Sequence, residues 1–260
     1  MNESLHSLET GGFVEPLHGE PELEYIFRHA MMHDAAYYSL VKPDRKRLHL
    51  MIGDLLERAF AARADELAPV LAHHFAEAGD EARAFRYFMR AGDVAAGKYA
   101  MVEAIAHYTD ALAIAMARLA VVEPSALLTL FSRRGRALEV TGRFDEALAN
   151  YEQMLRSAHE SHDRRLELGA LMSLAILYTL PFSKHDVERA HALSVEAFAL
   201  AQELADEPAQ ARILWNQMQM ARTHNFSDLP HALEYGEQSL AIARRLNLQE
   251  QLAFTLNDIS

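Results

Sequence analysis

Several residue groups in the chain have types and spacings that could do chemistry. Gly92-Asp93-Val94-Ala95-Ala96-Gly97-Lys98 has the spacing of a phosphate-binding loop, whose backbone N–H groups cradle a phosphate while the lysine reaches its outer oxygens. The next residue is Tyr99, where such a loop needs Ser or Thr to hold magnesium, and no strand pattern precedes it. The segment is therefore expected to be helix, with Gly92 serving close helix packing and Gly97 the helix end. His29 and His33 are four apart, which puts two imidazoles on one helix face within reach of one metal. Asp34 should point elsewhere, no third ligand is fixed by spacing, and the glutamate of a zinc-protease motif is missing. His73 and His74 are consecutive on a helix, so one should face the core and the other solvent.

Lys42, Arg45, Lys46 and Arg47 form a dense basic cluster that could meet phosphate. No aromatic residue interleaves with it, so a solvated helix start or a docking face is expected, and nucleic acid is not. The chain has no cysteine, no Gly-x-Ser-x-Gly elbow and no carboxylate pair that stands out from helix surface charge. Met116, Met154, Met172, Met218 and Met220 read as core fillers. The expectation is a non-catalytic chain with no metal and no cofactor.

The elements that must position these groups follow from composition and pattern. The 260 residues are half apolar and 24% charged, enough to bury a sizeable core. The formal charge of −12, from 25 Lys and Arg against 37 Asp and Glu, disfavours general phosphate-backbone binding. No apolar stretch nears the roughly 18 residues that would cross a bilayer, and the start lacks a signal-peptide pattern, so a cytoplasmic location is expected. Asn2-Glu3-Ser4 and Asn225-Phe226-Ser227 fit the glycosylation sequon and are read as chance.

Leu5 to Leu8 read as a helix end stopped by Gly11-Gly12, and Phe13-Val14-Glu15 as a strand. Pro16 and Gly19-Glu20-Pro21 then turn the chain into the alternating run Leu23, Tyr25, Phe27. Beyond residue 30 the pattern is helical throughout. Helices are expected near 29–41, 44–63, 66–78, 81–97, 100–118, 125–141, 144–159, 165–179, 186–204, 207–223, 229–246 and from 249 onward. Short breaks between them imply antiparallel neighbours.

An internal repeat orders those helices. Phe88-x-x-Ala91-Gly92-x-x-Ala95 followed by Ala104-x-x-x-Tyr108-x-x-Ala111 recurs as Phe131-x-x-Arg134-Gly135-x-x-Leu138 followed by Ala147-x-x-x-Tyr151. Looser copies hold Leu174-Ala175-x-x-Tyr178 with Ala190 and Ala197, then Trp215 with Ala232. The alanines at 104, 147, 190 and 232 set a period near 43. A small residue where two helices cross permits close approach, and a large one beside it fills the groove.

This pattern resembles tetratricopeptide (TPR) repeats, with a longer period than 34, Phe or Leu for the leading aromatic, and no closing proline. The resemblance implies an all-α fold, a right-handed TPR-like α-solenoid of about five pairs. Glu24-Tyr25-Ile26-Phe27-Arg28-His29-Ala30, Asp34-Ala35-Ala36-Tyr37-x-Ser39-Leu40, Arg47-Leu48-His49 and Leu71-Ala72-His73-His74-Phe75 are similar to a junction in bacterial STAND-class signalling ATPases. Those proteins place an ATPase core and a winged helix before helical repeats, often with nucleotide cyclase or DNA-binding output domains. The resemblance implies a helix and β-hairpin remnant of a winged helix over 1–41 and repeats over 42–260, truncated inside a repeat helix.

The function so implied is binding of a protein or peptide, as the sensor region of a signal-transduction ATPase whose ATPase and output domains are missing here. Repeat geometry puts the first helix of each pair on the concave face. The partner-binding candidates there are Arg86, Met89, Asp93, Ser132, Arg136, Glu139, Asn216 and Gln219. Two other readings stand: a small-ligand sensor of a transcriptional regulator, and part of an ATPase or cyclase whose catalytic motifs lie elsewhere.

Overall fold

The computed structural model describes residues 2–17, 24–118, 122–224 and 229–259. The turn expected at Gly19-Glu20-Pro21, Leu23 of the alternating run, and the sequon at Asn225 lie outside the described residues. The fold is an all-α, TPR-like solenoid with a small N-terminal hairpin. The chain divides into two compact units, Met1–Ala84 and Phe85–Ser260.

In the first unit, α1 (Asn2–Thr10) stops where Gly12 turns to a φ of 73°. Strands β1 (Val14–Leu17) and β2 (Glu24–Phe27) pair antiparallel, with Val14 opposite Phe27 and Pro16 opposite Tyr25. Pro16 was expected to turn the chain; instead it sits inside β1. A two-stranded ribbon has only edge strands, so its missing N–H is tolerated. Then come α2 (Ala30–Ser39), α3 (Lys42–Ala59) and α4 (Ala68–Ala78). The helix expected over 44–63 ends at Ala59, where Phe60 leaves helical geometry and a 3-10 turn covers Ala61–Arg63.

The second unit holds most of α5 (Glu81–Gly97), then α6 (Met101–Ala117), α7 (Pro124–Val140), α8 (Phe144–Ser161), α9 (Arg164–Thr179), α10 (Val187–Glu203), α11 (Glu207–His224), α12 (Leu229–Leu246) and α13 (Gln249–Ile259). Each expected helix in this unit is present to within two residues at its start. Several connections close on a left-handed residue: Tyr99, Gly142, His162, Ala205 and Asn247.

Position within each helix governs the packing. The eighth residue of α5, α7, α9 and α11 is Phe88, Phe131, Leu171 and Leu214, and the twelfth is Gly92, Gly135, Ala175 and Met218. On the second helices the fourth residue is Ala104, Ala147, Ala190 and Ala232, all buried, and the eighth is Tyr108, Tyr151, Ser194 and Gly236. A Cβ on Gly92 would lie 2.4 Å from the Tyr108 ring, and one on Gly135 would lie 2.3 Å from that of Tyr151. Down the stack, the two positions trade size: Gly with Tyr twice, then Ala with Ser, then Met with Gly. Dense interiors leave room for one large residue per crossing.

The same register appears in the first unit. The twelfth residue of α3 is Gly53 and the eighth of α4 is Phe75, and a Cβ on Gly53 would lie 2.8 Å from Phe75 Cε1. At the eighth position of α3, where the other first helices carry Phe or Leu, stands His49, which is buried.

Candidate functional site

The ninth and thirteenth positions of the later first helices carry side chains that line cavities. On α9 these are Met172 and Ile176, and on α11 Trp215 and Gln219. Three cavities lie along this side. One of 470 Å³ runs from Leu128 and Ser132 on α7, past Met172 and Ile176, to Arg212 on α11. One of 530 Å³ lies between Ala175, Ile176 and Thr179 of α9 and Trp215, Asn216, Gln219 and Met220 of α11. One of 610 Å³ runs from Arg212 and Trp215 to Phe254 on α13. Neighbouring cavities share Ile176, Trp215 or Arg212, so they adjoin along one grooved face of α7, α9, α11 and α13.

The lining is mixed, with Leu128, Met172, Ile176, Trp215 and Phe254 beside polar groups such as Ser132, Asn216, Gln219 and Glu250. Trp215 Nε1 donates to Asp258 Oδ2 at 2.9 Å and Gln219 Nε2 to the same oxygen at 2.7 Å, while Arg222 donates to the Asp258 carbonyl. Asp258 thereby ties α13 to α11. Asp206 caps α11 by accepting from Ala209 N at 3.0 Å. Arg165 and Arg212 are exposed, and no carboxylate among the described residues pairs with either guanidinium.

Of the residues the sequence singled out, the structure brings Ser132, Asn216 and Gln219 into this groove. Asp93 and Glu139 instead do structural work. Asp93 accepts from Tyr108 Oη at 2.8 Å and from Arg133 at 2.5 Å; Glu139 accepts from Tyr151 Oη at 2.7 Å and from Arg136 at 3.1 Å. Burial, reinforced by the neighbouring carboxylate, pushes both phenols well above the ordinary range. The Glu139 side chain is only 8% exposed, because it follows the buried phenol inward. Met89 packs against the core, and Arg86 is exposed with its guanidinium 4.9 Å from the Tyr87 ring.

The sequence missed Met172, Ile176, Arg165, Arg212 and Phe254. Met154 and Met218 are core, as expected, and Met172 packs against the core while also lining the groove. Met172 and Ile176 hold the same ninth and thirteenth positions as the named Met89, Asp93, Ser132, Arg136 and Gln219, whereas no spacing marks Arg165, Arg212 or Phe254.

The other candidates also find places. Gly92 lies inside α5 and Gly97 at its end, so the segment is helix rather than a phosphate cradle. Asp34 does not point away from His33: its Oδ1 is 3.0 Å from His33 Nδ1. His73 and His74 divide as expected, His74 turning inward to the buried His49 and His73 towards solvent. Their rings lie 5.6 and 5.1 Å from that of His49, with His74 half-buried and His73 exposed. Arg45 is met by aromatic rings after all, Tyr37 at 5.2 Å and Tyr38 at 5.7 Å. Among the described residues, no group of three or more His, Asp or Glu could hold a metal ion, and no helix is long and apolar enough to cross a membrane.

No protein-family model and no curated protein sequence matches the chain. Solved structures do. BtubC (BKLC) from P. vanneervenii is similar with a TM-score of 0.58 and 25% identity, over 78% of this chain and 81% of that one. The apo form of RapI is similar with a TM-score of 0.60 and 14% identity, over 83% of this chain and 58% of its own length. A putative kinesin light chain from Podosopora anserina with nearly identical TPR-like repeats gives 0.54 and 17%, over 81% of this chain and all of that one. The RapI and kinesin light chain likenesses are ones of fold.

Proposed function

We propose that the chain is a non-catalytic scaffold that holds a segment of another protein in the groove across α7, α9, α11 and α13. The observation that carries this is the row of three adjoining cavities with Met172, Ile176 and Trp215 in their lining, edged by two arginines without carboxylate partners among the described residues. Those groups specify the segment: aliphatic or aromatic side chains against Met172, Ile176 and Trp215, and a carboxylate for Arg165 or Arg212. The resemblance of residues 24–49 and 71–75 extends the reading to the sensor region of a bacterial, cytoplasmic signalling ATPase, with ATPase and output domains supplied by a larger parent. There, occupation of the groove would bias the parent between two assemblies.

The test is selection of random dodecapeptides on the full chain, with Trp215→Ala and the double variant Arg165→Glu/Arg212→Glu as comparisons. Enriched peptides should combine apolar and acidic residues and bind either variant at least about tenfold more weakly. Failure to enrich any sequence, or full affinity for both variants, would sink the reading. Mg-ATP should give no saturable heat with this chain; a saturable heat would favour an enzyme instead.

A second reading has one observation of its own. The 530 Å³ cavity beside Trp215 falls in the size range of small-molecule sites, roughly 300–1,000 Å³. Quenching of Trp215 by a small molecule, with no peptide enriched, would select it.

A further inference from the structure

The first unit holds a 710 Å³ cavity formed by α2, α3 and α4. One wall is aromatic. Tyr37 and Tyr38 meet edge to face with ring centroids 5.4 Å apart, and the Arg45 guanidinium lies over both rings. A second wall is a bonded chain: Tyr37 Oη is 3.0 Å from His49 Nε2, and His49 Nδ1 is 3.0 Å from His74 Nδ1. Leu40, Leu48 and Ile52 supply apolar surface.

The balance of charge favours an anion. Lys42, Arg45 and Lys46 line the cavity against Asp34 and Glu77, and Asp34 is already engaged by His33. Such an excess of cations runs against a chain whose net charge is −12. Lys46 has a structural use, its Nζ lying beside Gly79 at the C-terminus of α4, where a cation complements the helix dipole. Arg45 differs. Its guanidinium carbon lies 5.2 Å from the Tyr37 ring centroid and 5.7 Å from that of Tyr38, and it makes no ion pair with a carboxylate among the described residues, so its charge is available to an oxyanion.

We infer that this cavity binds a small aromatic molecule bearing a carboxylate or phosphate group, with Arg45 holding the oxyanion and Tyr37, Tyr38 and the neighbouring imidazoles holding the ring. Its size suits such a ligand. The flanking imidazoles can donate or accept towards substituents on the ring.

The experiment titrates the full chain with benzoate, phenyl phosphate, benzyl alcohol and inorganic phosphate, read by calorimetry and by the imidazole ring signals of His49 and His74. Benzoate or phenyl phosphate should saturate and move those signals; whichever binds identifies the oxyanion. Benzyl alcohol and inorganic phosphate each lack half of the recognised chemistry and should bind at least about tenfold more weakly. Arg45→Met should weaken the aromatic anion by about tenfold or more, as should Tyr38→Ala, whose side chain is 71% exposed and can be removed without emptying the core. Thermal unfolding of both variants confirms that they remain folded. The inference is overturned if neither aromatic anion binds, if inorganic phosphate or benzyl alcohol binds as well, or if folded Arg45→Met keeps full affinity.

Discussion

Tyr99 holds a φ of 60° between α5 and α6 while its side chain is 87% exposed. A non-glycine residue there carries strain with little packing to offset it, so Tyr99→Gly should raise stability by about 1 kcal/mol in urea unfolding. A loss of stability would show that the ring makes contacts worth more than the strain. The buried imidazoles respond to pH. Burial first, then like charge from neighbours, holds His49 and His74 below the ordinary 6.5. The groups facing them are Tyr37 and His33–Asp34 on α2, Arg45 on α3, and His73 and Glu77 on α4. A histidine with a depressed value in the folded state lends stability above its unfolded value, and loses it as pH falls through the folded value. Amide exchange in α2 and α4, corrected for its intrinsic rate, should therefore quicken between about pH 7 and about pH 5, and His49→Phe should flatten that change. No amino-acid spacing announces this cluster. Residues 37, 49 and 74 meet only after three helices fold, so neither the rings that meet at His49 nor those beside Arg45 could be read from spacing.

Helices were far more legible than contacts. Local chemistry sets their ends: Pro124 opens α7, Asp163 accepts from Arg165 and Leu166 N at the start of α9, and Asp186 accepts from Arg189 N at the start of α10. The α3/α4 pair was harder to read as a repeat, because His49 stands at the aromatic position and a 3-10 turn lengthens its connection. Size exchange between paired helices gives a sharp test. Gly135→Ala should cost about 2–3 kcal/mol through overpacking on Tyr151. Tyr151→Ser alone should cost more, by emptying core volume. The double variant reproduces the Ala175 and Ser194 solution of the third pair, so its cost should fall short of the sum by about 1 kcal/mol or more. Simple additivity would mean that the clash is relieved elsewhere. The groove on α9 went unread for a related reason: Met172 sits one position from the core residue Leu171, and composition alone cannot say which side of a helix a methionine serves.

At the scale of the molecule, Trp215 is the chain's single tryptophan and belongs to the second unit. Stacked repeats unfold as locally coupled segments rather than all at once. Urea unfolding followed by Trp215 emission should therefore not coincide with unfolding followed by far-UV circular dichroism, which samples every helix. Coincident curves would mean that both units unfold together. The regularity of the helix register has one more consequence. Each pair of helices closes its own crossing, and the groove is assembled from the ninth and thirteenth positions of consecutive first helices. Duplication or loss of one whole pair would leave every internal crossing intact while lengthening or shortening the groove by a fixed increment. Reach along a partner can thus evolve in steps, like beads added to a string, without redesign of the chemistry at any one bead.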